Sequence, residues 1–172
     1  MDIESIIDAF HGFRQKTAKP LTIEMIASYS DSELNDHTVA RFARRTDLTE
    51  QNEVERLPPL VQAWLVTGIF EGQVGNGGLN QYFLNFEDRP WFLDLVLRGY
   101  DVLGLPEQRR LIEERIIPVA FSDTENLRRE RQRQKPFSRT GVNELEVLDD
   151  LIEDQTDLRI RVVRANPELF AG

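Results

Sequence analysis

The sequence predicts an all-α protein, folded as a single compact multi-helix domain over residues 1–172. Three observations lead there. Apolar residues recur every three or four positions nearly throughout. Prolines and glycines fall between those stripes, where helices start and stop. The length of 172 residues and the 40% hydrophobic composition suit one globular core.

Taken in order, Ile3, Ile6, Ile7, Phe10 and Phe13 form the stripe of an amphipathic first helix, which Gly12 weakens and Lys19-Pro20 ends. Pro20 suits the start of a second helix carrying Ile23, Ile26 and Ala27. A third runs from about Ser32 through Arg45, with Leu34, Val39, Phe42 and Ala43 inward. Thr46 to Arg56 reads as a linker or as a helix with a shallow packed face. After Pro58-Pro59, the residues Leu60, Val61, Trp64, Leu65 and Ile69 make a continuous stripe. Gly75-Asn76-Gly77-Gly78 is expected to stop it, because Asn and Gly accept positive φ and can reverse the chain. A short segment from Leu79 to Phe86 follows, with Leu79, Phe83 and Phe86 toward the core and Gln81 and Asn85 together on another face.

Pro90 opens a strongly apolar helix, Trp91 to about Leu103, which Gly104 ends. Pro106 begins the next, whose face is Leu111, Ile112, Ile116 and Ile117 and which Pro118 kinks or ends. Arg128 to Arg139 is a basic run, and Glu144 to Asp157 is acidic. Leu158 to Val162 alternates as a strand would. Leu158, Val162, Ala165 and Leu169 also fit a helical stripe, and helix is the reading beside so many others.

Composition excludes several functions. Lys and Arg number 21 against 30 Asp and Glu, a net charge of −9 that argues against direct binding of nucleic acid. Without cysteine, thiol catalysis and Cys-ligated metal are excluded. His11 and His37 form no zinc-binding spacing, so neither metal nor cofactor is expected. Acids stand at the N-terminus where a signal peptide carries bases, and no apolar stretch is long enough for a membrane span. A cytoplasmic protein follows by default. The adjacent pairs Glu113-Glu114 and Asp149-Asp150 point apart on a helix, and neither sits beside a nucleophile motif, so an enzyme is not expected.

The most informative stretch is Glu71 to Asn85. Its glycines lack the G-x-x-x-x-G-K-[ST] spacing of a phosphate cradle. In the structural account, Asn76, Gln81 and Asn85 cap helix ends and satisfy buried backbone groups. In the functional one, Glu71, Asn76, Gly77, Gly78, Gln81, Tyr82 and Asn85 form a recognition patch. The structural account weighs more.

This stretch resembles the DUF4375, or DMP19-like, proteins, whose signature is an acidic residue followed by N-G-G-[FL]-x-Q-Y-[FL]-x-N after an apolar helix. Glu71, Asn76-Gly77-Gly78-Leu79, Gln81-Tyr82-Phe83 and Asn85 stand in that order. The likeness runs roughly from Leu60 to Phe170 and includes Leu148-Asp149 and Asn166-Pro167-Glu168-Leu169-Phe170. Leu79 stands where phenylalanine is more frequent. The resemblance implies an all-helical homodimer. The family's namesake is described as a DNA mimic, an acidic protein that occupies the DNA-binding face of a transcription factor.

The sequence holds material for such a role. Glu146, Asp149, Asp150, Glu153 and Asp157 share one face if the segment is helical, with Leu145, Leu148, Leu151 and Ile152 opposite. That face would span roughly 16 Å, on the scale of a few phosphates. A helix-turn-helix regulator is the expected partner. Arg128, Arg129, Arg131, Arg133, Lys135 and Arg139 stand just before these acids and can neutralise them within the chain. A second acidic set, Asp31, Glu33, Asp36, Asp47, Glu50, Glu53 and Glu55, is interrupted by Arg41, Arg44 and Arg45. The alternative is a binding or immunity-type regulatory module centred on the Asn-Gly-Gly motif, without mimicry.

Overall fold

A computed structural model describes residues 20–122 and 145–172. The expected first helix at Ile3 to Phe13, the basic run at 128–139 and Glu144 lie outside the described residues. The described residues form helices joined by turns, bends and irregular stretches, with no strand among them. None of the helices among them is long and apolar enough to cross a membrane. The chain divides into two compact units, one from 20–68 with 155–172, the other from 69–122 with 145–154.

The first unit begins with α1 (Ile23–Ser28) and α2 (Asp31–Arg45). Thr22 caps α1, its hydroxyl accepting from the Met25 N–H at 3.2 Å. Ser30 and Glu33 cap α2 reciprocally: the Glu33 N–H donates to Ser30 Oγ at 3.3 Å, and the Ser30 N–H donates to the Glu33 carboxylate at 2.9 Å. Hydrogen bonds from Ser30 hold the Glu33 carboxyl below its ordinary value. The stretch left open between linker and helix contains α3 (Gln51–Glu55), which buries only Val54. The unit's core is an aromatic trio, Phe42, Trp64 and Phe170, with centroids 5.7 to 6.0 Å apart.

Toward the C-terminus come α8 (Thr156–Ala165) and α9 (Pro167–Phe170), labels that count the helices of the described residues in chain order. Helix is right for 158–165, but its expected face is not. Arg159, Ile160 and Val163 are buried, whereas Leu158 and Val162 are half-buried and Ala165 is exposed. Asn166-Pro167 breaks the helix, so Leu169 does not continue the stripe. Gly68 makes room for the buried Arg159: a Cβ there would sit 3.3 Å from its Nε. Arg164 donates to the carbonyls of Ile26 and Tyr29, both at 2.8 Å, and pairs with Asp31 at 2.6 Å, placing a cation at the C-terminal end of α1.

α4 (Pro59–Asn85) supplies residues to both units. In the second it is followed by α5 (Pro90–Val102), α6 (Pro106–Leu111) and α7 (Ile117–Ser122). Pro90 and Pro106 occupy first turns as predicted, and Gly104 ends its turn at φ 74°. Pro118 neither ends nor sharply breaks the helical path. Having no N–H, it cannot complete the ordinary ladder, and the chain accommodates this with a π-helical turn at Ile112–Ile116. Ile112 and Ile116 remain buried.

Candidate functional site

The glycine-rich motif turns the chain back on itself, as expected: Phe70 and Tyr82 have ring centroids 4.6 Å apart and Asn85 meets Gln73 at 2.8 Å, pairs that a straight helix would hold about 18 Å apart. α4 continues through Gly75, Asn76 and Gly77 and breaks its dihedrals only at Gly78, at φ 79° and ψ 174°. Asn76 bonds back along the helix, donating to the Gly72 carbonyl at 2.7 Å. The kink frees the Leu79 N–H, which donates to Asp149 Oδ1 at 2.8 Å. Asp149 is therefore an N-cap supplied from a distant segment. A side chain at 78 would run into the same carboxylate, and one at 77 would overlap Gln81. Each glycine thus vacates space for a named polar group.

Beyond the kink, Gln81 and Asn85 do share a face. Asn85 Nδ2 donates to Gln73 Oε1 at 2.8 Å, and Gln81 Nε2 approaches the same oxygen at 3.4 Å. Glu71 is buried and accepts from the Tyr100 hydroxyl at 3.1 Å. Tyr82 is buried as well, its ring edge-on to Phe70 at 4.6 Å and stacked on Phe86 at 4.9 Å. Its hydroxyl is buried without a hydrogen-bond partner. Burial, with the Asp94 charge adding to it, pushes this phenol far above its ordinary value. Of Glu71, Asn76, Gly77, Gly78, Gln81, Tyr82 and Asn85, only Asn76 is exposed. The motif ties two stretches of α4 to α5 and to the Leu148-Asp149 pair. Gln73 and Tyr100, its partners, carried no signal of their own in the sequence.

The acidic segment also departs from expectation. Glu146–Leu151 is a 3-10 helix, and the chain leaves helical geometry at Ile152 before α8 starts. The single face of five carboxylates is therefore not formed. One cause is distant and one local: Asp149 is drawn to the Leu79 amide, and like charges at helical spacing oppose a longer helix. Leu145 and Leu148 anchor the turn, while Glu146, Asp150, Glu153 and Asp154 are exposed. Asp157 lies in the first turn of α8, in the other unit. Much of the second acidic set is engaged within the chain: Asp31 with the distant Arg164, and, close in sequence, Glu33 with Ser30, Asp47 with Thr49 at 2.6 Å, Glu53 with Arg56 and Glu55 with Gln51 at 3.0 Å.

Burial raises the Asp149 carboxyl above its ordinary value; the Leu79 N–H opposes this, and Glu146 and Asp150 add to it. The folded state then holds a proton that the unfolded state has already released. That contribution to stability is fully present below the ordinary aspartate value of about 3.9 and is lost as pH rises through the raised folded value. Asp149→Asn keeps an oxygen for Leu79 and cannot titrate. In urea unfolding at stepped pH, the wild type is expected to lose stability relative to this variant as pH climbs from about 4. A difference that stays constant across that window removes Asp149 as the titrating group.

The sequence profile of a family described as DMP19-like protein matches residues 55–166. No curated protein matches the chain, and no solved structure does.

Proposed function

The chain belongs to the DMP19-like family, and from that membership we propose that it is an acidic interaction protein that competes with DNA for a DNA-binding protein, a helix-turn-helix regulator. The observation that carries the reading is the segment 145–158, which contains no Lys or Arg and exposes Glu146, Asp150, Glu153 and Asp154. Asp149 holds the segment in place while its neighbours face solvent. The contact is electrostatic and involves no chemistry on the partner. Carboxylates displaced from a regular ladder still attract Lys and Arg, since charge steering depends on the summed field more than on spacing. The reading also expects a homodimer, which sedimentation equilibrium checks.

The test is capture of DNA-binding proteins from a nuclease-treated lysate on the immobilised chain. Release by rising salt and by competing duplex DNA is expected. The triple variant Glu146→Gln, Asp150→Asn, Glu153→Gln is expected to lose capture by about tenfold or more, with its thermal melt unchanged. Unaltered capture by the triple variant removes this segment from the mechanism.

A further inference from the structure

Four aromatic rings, Tyr82, Phe83, Phe86 and Phe121, line a cavity of about 130 Å³ within the second unit. They do not form one parallel stack. Phe83 stands at 76° to Tyr82 and at 73° to Phe121, with centroids 5.2 and 6.2 Å apart, while Tyr82 and Phe86 are stacked at 4.9 Å. Rings turned in different directions let a rounded guest meet π faces on more than one side. An apolar cavity of roughly this size takes a benzene-sized molecule, and a trimethylammonium group has similar bulk. Phe121 is 57% exposed, so the cavity reaches the surface.

The charges set around these rings are mostly negative. Glu87 belongs to the lining and is exposed. Asp94, on α5, adds its field at Tyr82, where it helps to push the phenol up. Arg89 also lines the cavity, and Asp88, 3.7 Å away, offsets its charge. Its guanidinium lies 5.9 Å from the centre of Phe86, so one ring of the set already carries a cation. Glu87, Asp88 and Asp94 against Arg89 leave a negative balance, which repels an anion and attracts a positive guest.

We infer that this cavity is an aromatic cage for a methylated ammonium cation. The methyl groups lie against Phe83 and Phe121, whose rings attract the positive charge, and Glu87 supplies a carboxylate on the exposed side. Methylation is what admits the cation: a plain ammonium would surrender hydrogen bonds to water that these carbon walls cannot replace. An uncharged guest of the same shape would gain the apolar contact and nothing from the carboxylate.

The experiment is a titration of the full chain with choline at matched ionic strength, followed by chemical-shift changes or calorimetry. The controls are 3,3-dimethylbutanol, its uncharged isostere, and ethanolamine, its unmethylated counterpart. Saturable binding of choline is expected, at least about fivefold tighter than either control. Phe121→Leu is expected to weaken choline about fivefold and Glu87→Gln about threefold. Both positions are exposed, so both variants are expected to keep the wild-type circular dichroism. A peptide carrying trimethyllysine, titrated in parallel, separates the two sources of the same group: the tighter binder of the two names the source. Absence of saturation by both cations, equal binding of either control, or unchanged affinity in either variant overturns the proposal.

Discussion

Replacing Gly78 with alanine is expected to lower stability by about 3 kcal/mol. Its backbone, at φ 79° and ψ 174°, lies in a region that glycine alone enters readily, and an alanine there costs about 1–3 kcal/mol. The added methyl also meets the Asp149 carboxylate and displaces it from the Leu79 amide, and a lost cap costs about 1 kcal/mol more. Gly72→Ala and Gly75→Ala are the controls. Both sit in ordinary helix with open space around them, and each is expected to add about 0.5–1 kcal/mol. Chemical denaturation followed by far-ultraviolet circular dichroism decides the matter. A Gly78→Ala variant as stable as wild type removes both the kink and the cap from the account. Adding Asp149→Ala relieves the clash but not the dihedral strain, so the double variant remains less stable than wild type.

The second large effect is expected at Phe70, which is fully buried. Its ring meets Tyr82 edge-on at 4.6 Å and Tyr100 at 6.4 Å. Those two tyrosines belong to the motif's interior, one unpaired and one bonded to Glu71. Phe70→Ala removes the ring both lean on and is expected to cost about 3–5 kcal/mol. Phe70→Leu keeps most of the volume and is expected to cost about 1.5 kcal/mol. The same denaturation series measures both, and equal losses in the two variants contradict the role assigned to the ring.

Legibility followed the range of the interactions that decide each element. α5 and α6 were readable because Pro90, Gly104 and Pro106 act on their own neighbours. The reversal within α4 was readable too, because Gly75 to Gly78 accept positive φ, but which glycine carries it was not. Gly75 and Gly77 stay helical, and Gly78 departs because a carboxylate 70 positions away caps the amide beyond it. The Glu71–Tyr100 bond spans 29 positions and left no local trace. A single face of five carboxylates requires one α-helix from Glu146 to Asp157, and the chain forms a short 3-10 turn there instead, with Asp149 turned toward the Leu79 amide. At α8 the element was legible but its face was not: the wheel favoured Leu158 and Val162, whereas Arg159 is buried alongside Gly68.

The placement of the two tryptophans has a practical consequence. Trp64 belongs to the first unit, enclosed by Phe42 and Phe170, and Trp91 belongs to the second, half-buried beside Phe92. Each unit therefore contains its own intrinsic fluorophore. With Trp91→Phe or Trp64→Phe, the emission of a single indole follows one unit at a time, blue-shifted for the enclosed ring and redder for the half-buried one. The chain is thus its own two-channel optical reporter and needs no attached dye.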